Sequence, residues 1–464
     1  MDEFLYACHA AVQTSAGLPS GCPFHVVLGN EACDLDSMVS SLAYAYFLSK
    51  VSPCPVAPRL VQCAVQAATF SGQTCGIEEA FVVPLLNIQQ EELPLRSDNV
   101  FLLRQIGLSP DLLLFRDQLD LVALQRSDRL RLTLVDHNVL PSSDASLEGA
   151  VVEVIDHHML EREPSPSYHA TVETVGSCAT LVTERLLQKA PHILDQQLAQ
   201  LLYATILADC VNMAPAAGKV TAKDSLFATA LEARFPSLPP RAALFQALHN
   251  AKFDVSGLNT EQMLMKDMKM LKGSLSMAIS VLYLPIEVFL QRAELEEELS
   301  GFCRKLALDV LVLMSISFTE AKQPIRELAL FSHSATCREQ VSHFLERAGD
   351  PALDLHAISC PHDHVVAFHQ DRLLECVTTC KLWASFYSSR PCNSSASRKK
   401  LLPLLKDFVR VRRGQDKDDE DEDGERRVPP TPANSLVEGC PLDAGPPPVS
   451  VHALHDKFGQ IDAR

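Results

Sequence analysis

The sequence predicts an α/β protein: an N-terminal domain with a mostly parallel sheet, a smaller C-terminal α/β domain, and a disordered acidic tail. Three observations carry this. Short apolar runs rich in β-branched residues alternate with amphipathic stretches through the first half, the pattern of a parallel sheet with helical crossovers. A proline-marked break near 214–245 precedes a second set of apolar runs. Beyond residue 411 the composition changes abruptly, with eight acidic side chains between Asp416 and Glu425 followed by a Pro-rich stretch.

Taken in order, "FHVVLGN" (24–30) reads as a strand ending in Gly, and "DSMVSSLAYAYFLSK" (36–50) as a helix. "AFVVPLLNI" (80–88), "RLTLVDH" (131–137) and "VVEVIDHH" (151–158) are further strands, and 177–190 and 194–211 are helices. "APAAGKVTAKD" and "FPSLPPR" read as a loose connection, so 221–244 is expected to be a linker. "SMAISVLYL", "LALDVLVLMSISF" and "PIRELALFS" supply strands of the second unit, which closes near "SRKKLLPLLKDFV" (397–409). The acidic stretch after 411 cannot bury enough apolar surface to offset its ordering entropy.

With 464 residues, 47% of them hydrophobic, the chain is long enough for two cores. Its net charge of −17 argues against nucleic acid or an anionic membrane as the main partner. The acidic start "MDEFLYACHAAVQ" does not read as a signal peptide, and no apolar run is long enough to span a bilayer. Fifteen cysteines without zinc-ribbon spacing suit buried thiols in a reducing compartment.

Polar residues gather where the strands end. "GNEACDLDS" offers Asp34 and Asp36, "VDHN" offers Asp136, "IDHH" offers His157 and His158, and "ILADC" offers Asp209. Each piece has a plain reading. An Asp-x-Asp before a helix is an N-cap pair, an Asp-His-Asn after a strand is a turn, and Asp209 could cap a helix or pair with a lysine. Two adjacent histidines at an apolar strand end have no packing rationale. Together, carboxylates and imidazoles at one sheet edge form a ligand set for Mn²⁺, Mg²⁺, Co²⁺ or Zn²⁺. The carboxylates would repel unless cations sat between them. Two ions about 3.5–4 Å apart, sharing one carboxylate and holding a hydroxide, are phosphoester and phosphoanhydride hydrolysis hardware.

The order G-x-x-x-x-D-x-D-S, V-D-H-N, I-D-H-H, V-G-S-C-A-T and a later Asp resembles the DHH phosphoesterase superfamily, and the V-D-H-N/I-D-H-H pair is similar to family II inorganic pyrophosphatases. "GNEACDLDS", "LPLRSDNVFLL", "AKFDVSGLNTEQML" and "PPTPANSLV…CPLD" look closer still to the prune exopolyphosphatase group. The resemblance implies a DHH catalytic domain over 1–220 with an insertion near 51–78. It further implies a DHHA2 substrate-gripping domain over 245–411 with an insertion near 371–396, and a tail over 412–464. It implies two divalent ions, Mn²⁺ or Mg²⁺. Asp34 and Asp136 would hold the first, and Asp36, Asp136, His157 and Asp209 the second, with Asp136 bridging. His158 would act beside the attacking water. Lys252 and the Arg398–Lys399 pair would grip substrate oxygens from the second domain as it closes, although "SRKK" alone would be a solvated patch. Asn30 stands where the pyrophosphatases have a histidine ligand, leaving a weak ligand or a turn cap. Cys33 replaces their Pro and Met159 their Arg.

The implied reaction is exopolyphosphatase cleavage of short inorganic polyphosphate by hydroxide attack, with cyclic-nucleotide phosphodiesterase activity as a further implied reaction. A different reading is a signalling scaffold with residual catalysis. It would bind nucleoside diphosphate kinase, influence cell migration, and use the tail and the phosphorylation candidate Thr431. The expected location is the cytoplasm, extended to the nucleus and to cell junctions or focal adhesions.

Overall fold

The computed structural model describes residues 1–13, 23–52, 80–318, 324–349, 353, 355–370 and 398–413. Nearly all of both expected insertions, and the tail with Thr431, lie outside the described residues. The chain divides into two compact units, Met1–Asp254 and Val255–Arg464.

The first unit runs α1 (Asp2–Gln13), β1 (Phe24–Leu28), α2 (Leu35–Val51), β2 (Phe81–Leu85), α3 (Ser97–Gln105), α4 (Leu121–Arg126), β3 (Leu130–Val135), β4 (Val151–Asp156), β5 (His169–Val172), α5 (Cys178–Lys189), α6 (Gln196–Asp209), α7 (Ala222–Arg234) and α8 (Arg241–Phe253). Its five strands lie in the order β2-β1-β3-β4-β5, and every pairing is parallel. Successive side chains leave opposite faces of a strand. Accordingly Val27, Val82, Val135 and Ile155 pack with α2, α5 and α6. Val26, Leu28, Val83, Leu134 and Val154 pack on the other face with α1. Covering both faces is what a parallel sheet requires, and it explains the near-continuous apolar runs.

The expected linker is corrected by the structure. Residues 222–234 and 241–253 are the helices α7 and α8 of the first unit. The Thr221 side chain accepts from the Asp224 N–H while Asp224 returns a bond to the Thr221 N–H, a capping box that starts α7. Pro240 stands at the N-cap of α8. The prolines punctuate two helices instead of loosening the chain.

The second unit runs α9 (Thr260–Lys266), β6 (Met268–Leu271), β7 (Met277–Leu282), α10 (Ile286–Leu290), α11 (Leu295–Leu306), β8 (Val310–Phe318), β9 (Pro324–Phe331), α12 (Ala335–Glu346), β10 (Leu355–Ile358), β11 (Val365–Gln370) and α13 (Arg398–Arg413). The strand order is β10-β11-β9-β8-β7-β6, and only β7 with β8 is parallel among the described strands. Cores lie on both faces of this sheet as well.

Candidate metal centre

Parallel strands deliver their carboxyl ends to one edge, and β1, β3 and β4 end there in the polar residues read from the sequence. After β1 the chain turns at Gly29, where an added Cβ would meet Ser37 Oγ at 2.2 Å and Ser37 O at 3.0 Å. Only glycine lets the first turn of α2 pass this close. The Asn30 N–H donates to Ser37 Oγ (2.7 Å). Asp34 N-caps α2 through the Ser37 N–H (3.1 Å), so one of its oxygens serves the helix. Two residues missed by sequence reading brace this turn. The fully buried Arg96 donates from Nε to Ala32 O (2.9 Å), and Asn99 Nδ2 donates to Cys33 O (2.9 Å).

Asp136 follows β3 and is 2% exposed. Its backbone is left-handed, with φ 62°, a conformation that non-glycine residues hold only when their surroundings impose it. Its N–H donates to Ile155 O at 3.0 Å. Oδ2 accepts from Asn30 Nδ2 at 2.9 Å, while buried Oδ1 completes no hydrogen bond. His157 Nε2 lies 3.2 Å from that Oδ1 and 3.6 Å from Asp36 Oδ2. His157 Nδ1 pairs with Val175 O at 3.0 Å, which turns the Nε2 lone pair towards the carboxylates in the neutral ring. Asp36 is buried. Its Oδ2 accepts from the Cys178 N–H (2.5 Å), and its Oδ1 from the Ala179 N–H (2.8 Å) and Ser40 Oγ (3.0 Å). Those two amides open α5, an end that favours negative charge.

Asp209 closes α6 and presents a buried Oδ2 with no hydrogen-bond partner. The next three residues, Val211, Asn212 and Met213, all have positive φ (46°, 54° and 60°). Burial pushes the carboxyls of Asp136 and Asp209 well up, and the charges of Asp36 and Asp34 push further in the same direction. Burial disfavours a charge on His157, yet Asp36 and other neighbours outweigh it and raise its pKa.

These observations fit a cation. Buried acceptors with no donor, carboxylates that resist sharing their charge, and an oriented imidazole together make a site that a divalent ion would satisfy. Donor atoms about 2.0–2.2 Å from one ion stand roughly 3–3.5 Å apart, close to the His157 spacings. Asp34, Asp36, Asp136, His157 and Asp209 are the residues that would hold it.

A tighter cluster comprises Asp136, Asp156, His157 and His158, with one ligand atom of each within 4.8 Å of the others. Asp156 was not singled out by sequence reading, and its chemistry differs from the rest. It accepts from Asn138 Nδ2 (2.6 Å), from the His157 N–H (2.8 Å), from the His158 N–H (3.3 Å) and from His158 Nδ1 (2.8 Å). Burial opposes its charge, but the His158 and Asn138 bonds hold its pKa at about 2. A carboxylate so fully engaged orients the turn instead of coordinating. His158, with its side chain 55% exposed, is held through Nδ1 and leaves Nε2 for a ligand. The bond to Asp156 raises its pKa.

Other expectations fall elsewhere. The Asn30 amide donates to Asp136, and its Oδ1 accepts from the Cys33 N–H at 3.0 Å. Asn30 therefore braces Asp136 and caps the turn. Lys252 sits on α8, in the first compact unit, its Nζ 3.8 Å from Asp98 Oδ2. Arg398 and Lys399 form the first turn of α13 in the second unit.

Known proteins converge on the same reading. A family profile described as "DHH family, N-terminal domain" matches residues 25–206, and one described as "DHHA2 domain" matches residues 246–408. The chain is 42% identical to mouse exopolyphosphatase PRUNE1 over 493 residues, spanning 99% of this chain and 97% of that protein. It is 42% identical to human exopolyphosphatase PRUNE1 over 491 residues, with the same coverage. A family II inorganic pyrophosphatase structure from Methanococcus jannaschii covers 83% of this chain and 100% of its own at 17% identity and a TM-score of 0.42. With both domains matched in order and near-full-length relatives at this identity, the chain belongs to the DHH phosphoesterase family, in the exopolyphosphatase group that joins a DHH domain to a DHHA2 domain.

Proposed function

We propose that this chain is a divalent-metal-dependent exopolyphosphatase that removes terminal phosphate from short inorganic polyphosphate. The observation that carries the reading is the pair of buried oxygens that complete no hydrogen bond, Asp136 Oδ1 and Asp209 Oδ2, gathered with His157. Relatives 42% identical over nearly the whole chain are named exopolyphosphatases. Divalent ions, when bound, lower the pKa of a coordinated water and offset charge on phosphoryl oxygens. The chain's own residues then divide the work. Asp136, the buried carboxylate beside His157, would be shared by two ions; Asp36, His157 and Asp209 would complete one site, and Asp34 would contribute to the other. His158 presents Nε2 to a phosphoryl oxygen, its raised pKa favouring the protonated, donating form. Overall, water adds to the terminal phosphorus, the P–O–P bond breaks, and the bridging oxygen leaves on the shortened chain.

The test is orthophosphate release from triphosphate and pyrophosphate, and AMP formation from 3′,5′-cyclic AMP, by the purified chain with Mn²⁺ or Mg²⁺, beside measured metal content. Release from triphosphate that exceeds pyrophosphate, stops with chelator and returns with metal is expected. Metal-independent release, or none from triphosphate, overturns the proposal. Turnover of cyclic AMP would widen the substrate class. Binding of nucleoside diphosphate kinase, a role in migration and cytoplasmic, nuclear or junctional residence form a second proposal, placed on the tail. Co-purification with the full chain but not with a chain ending at residue 412 is its expected outcome, with hydrolysis retained.

A further inference from the structure

The segment Val175–Ala179 hydrogen-bonds two of the candidate ligands, His157 and Asp36, and lies beside a third, Asp209. Val175 O fixes the His157 ring through Nδ1 at 3.0 Å. The Cys178 and Ala179 N–H groups hold both oxygens of Asp36 at 2.5 and 2.8 Å. The Ser177 hydroxyl lies near enough to Asp209 to favour its charged form, although neither Ser177 Oγ nor Asp209 Oδ2 completes a hydrogen bond. Gly176 is wedged against the residue after Asp209. An added Cβ there would meet Cys210 Sγ at 2.4 Å, Lys219 O at 2.6 Å and Asp224 Oδ2 at 3.0 Å.

What keeps the segment there is a carboxylate outside the candidate ligand set. Asp224 is fully buried. Its Oδ2 accepts from the Gly176 N–H (2.9 Å), the Thr221 N–H (2.8 Å) and Thr221 Oγ1 (2.7 Å). Its Oδ1 accepts from Thr180 Oγ1, in the first turn of α5, at 2.6 Å. Four bonds to one buried carboxylate tie the start of α7, the Gly176 turn and the start of α5 into one piece. Charge-assisted bonds of this kind are shorter and stronger than neutral ones, and removing the acceptor would strand four donors, the buried Thr180 hydroxyl among them.

We infer that Val175–Ala179 is a common template that sets Asp36, His157 and Asp209, and that Asp224 is its anchor, a positioning residue for the metal centre. The inference rests on the proposed reading of that centre and deepens it. It predicts that Asp224 governs metal affinity without approaching metal or substrate. Outer-shell partners of metal ligands typically govern affinity by about 10–100-fold.

The experiment measures Mn²⁺ binding to the full chain by electron paramagnetic resonance, alongside melting temperature and hydrolysis at limiting and saturating Mn²⁺. Asp224→Ala should weaken Mn²⁺ binding about 10–100-fold, with excess Mn²⁺ restoring kcat. Thr221→Ala removes a helix cap on the same carboxylate but leaves the Gly176 bond. It should lower the melting temperature while keeping Mn²⁺ affinity. Asp224→Asn, the milder change, should weaken binding in the same direction by less, and it decides the matter if the alanine variant does not fold. Unchanged Mn²⁺ affinity in the Asp224 variants, or an equal loss in Thr221→Ala, overturns the anchor. Asp209→Asn separates the two layers. If wild type binds Mn²⁺ no better than Asp209→Asn, the metal centre itself is misassigned and the anchor falls with it.

Discussion

The two sheets are built from similar apolar strands and do different things with them. In the first unit all five strands run the same way, so the residues following β1, β3 and β4 meet at one edge. In the second unit most neighbours are antiparallel, and the residues following successive strands fall on opposite edges. Among the described residues, the tight cluster of possible ligands lies in the first unit alone. The buried carboxylate of the second sheet, Glu327, is engaged internally: it accepts from the Ile286 N–H (2.7 Å) and Ser315 Oγ (3.2 Å) and stands 2.9 Å from His369 Nδ1. Strand direction, more than composition, decides which sheet can assemble a charged site.

The most severe way to break the contrast is Asp136→Ala. If Asp136 is shared by two ions, as proposed, its loss affects both, so hydrolysis should fall about 10³-fold or more, the several kcal/mol that metals lend to phosphoryl charge. A variant with both metals and near-normal turnover would refute the bridging role. Two matched glycine substitutions sharpen the contrast. Gly29→Ala drives a Cβ into Ser37 at the site edge, and Gly273→Ala drives one to 2.1 Å from Val409 Cγ1 in the second unit. Each should cost about 1–3 kcal/mol by overpacking, read in denaturant melts. Metal binding should suffer only in Gly29→Ala, since Ser37 adjoins Asp36. Equal metal loss in both would erase the distinction.

Asn30→Ala removes the donor to Asp136 Oδ2 and the cap on Cys33. A loss of about tenfold in kcat/KM is expected, the worth of one charge-assisted bond, and an unchanged value would reduce Asn30 to a turn residue. A last effect concerns acid. His25 Nε2 lies 2.8 Å from Thr133 Oγ1, and burial, opposed in part by Glu153, pushes its pKa down to about 4. The unfolded chain takes up this proton near pH 6.5. The folded state therefore keeps its full stability above that pH and loses it progressively as pH falls towards 4. The loss is ~2 kcal/mol at pH 5. His25→Gln should flatten that slope in pH-dependent melts of the first unit, and an unaltered slope would assign acid sensitivity elsewhere.

Much of this was legible in the sequence for a simple reason. A β-branched run that ends in Asp or His announces both a buried strand and a polar edge, so β1, β3 and β4 and their terminal residues stood out. Asp34 also does what an Asp before a helix ordinarily does, capping α2. The prolines between 236 and 240 misled, because proline ends one helix and begins the next as readily as it opens a loop. Arg96, Asn99 and Asp224 were not legible. Each works by accepting or donating across long sequence separations, as Gly176 to Asp224 spans 48 positions, and no local pattern encodes such a pairing.

The turn after Asp209 has a consequence for any attempt to harden the protein. Three successive left-handed residues, one of them the β-branched Val211, store on the order of 1–3 kcal/mol each. Glycine at position 212 would release part of that tension, and heat tolerance should rise. The same slack would reach Asp209, whose carboxylate has no hydrogen bond on Oδ2 to hold it in place. Ruggedness and catalysis are thus set against each other at one short bend, and a search for thermostable variants should find activity falling as this bend relaxes.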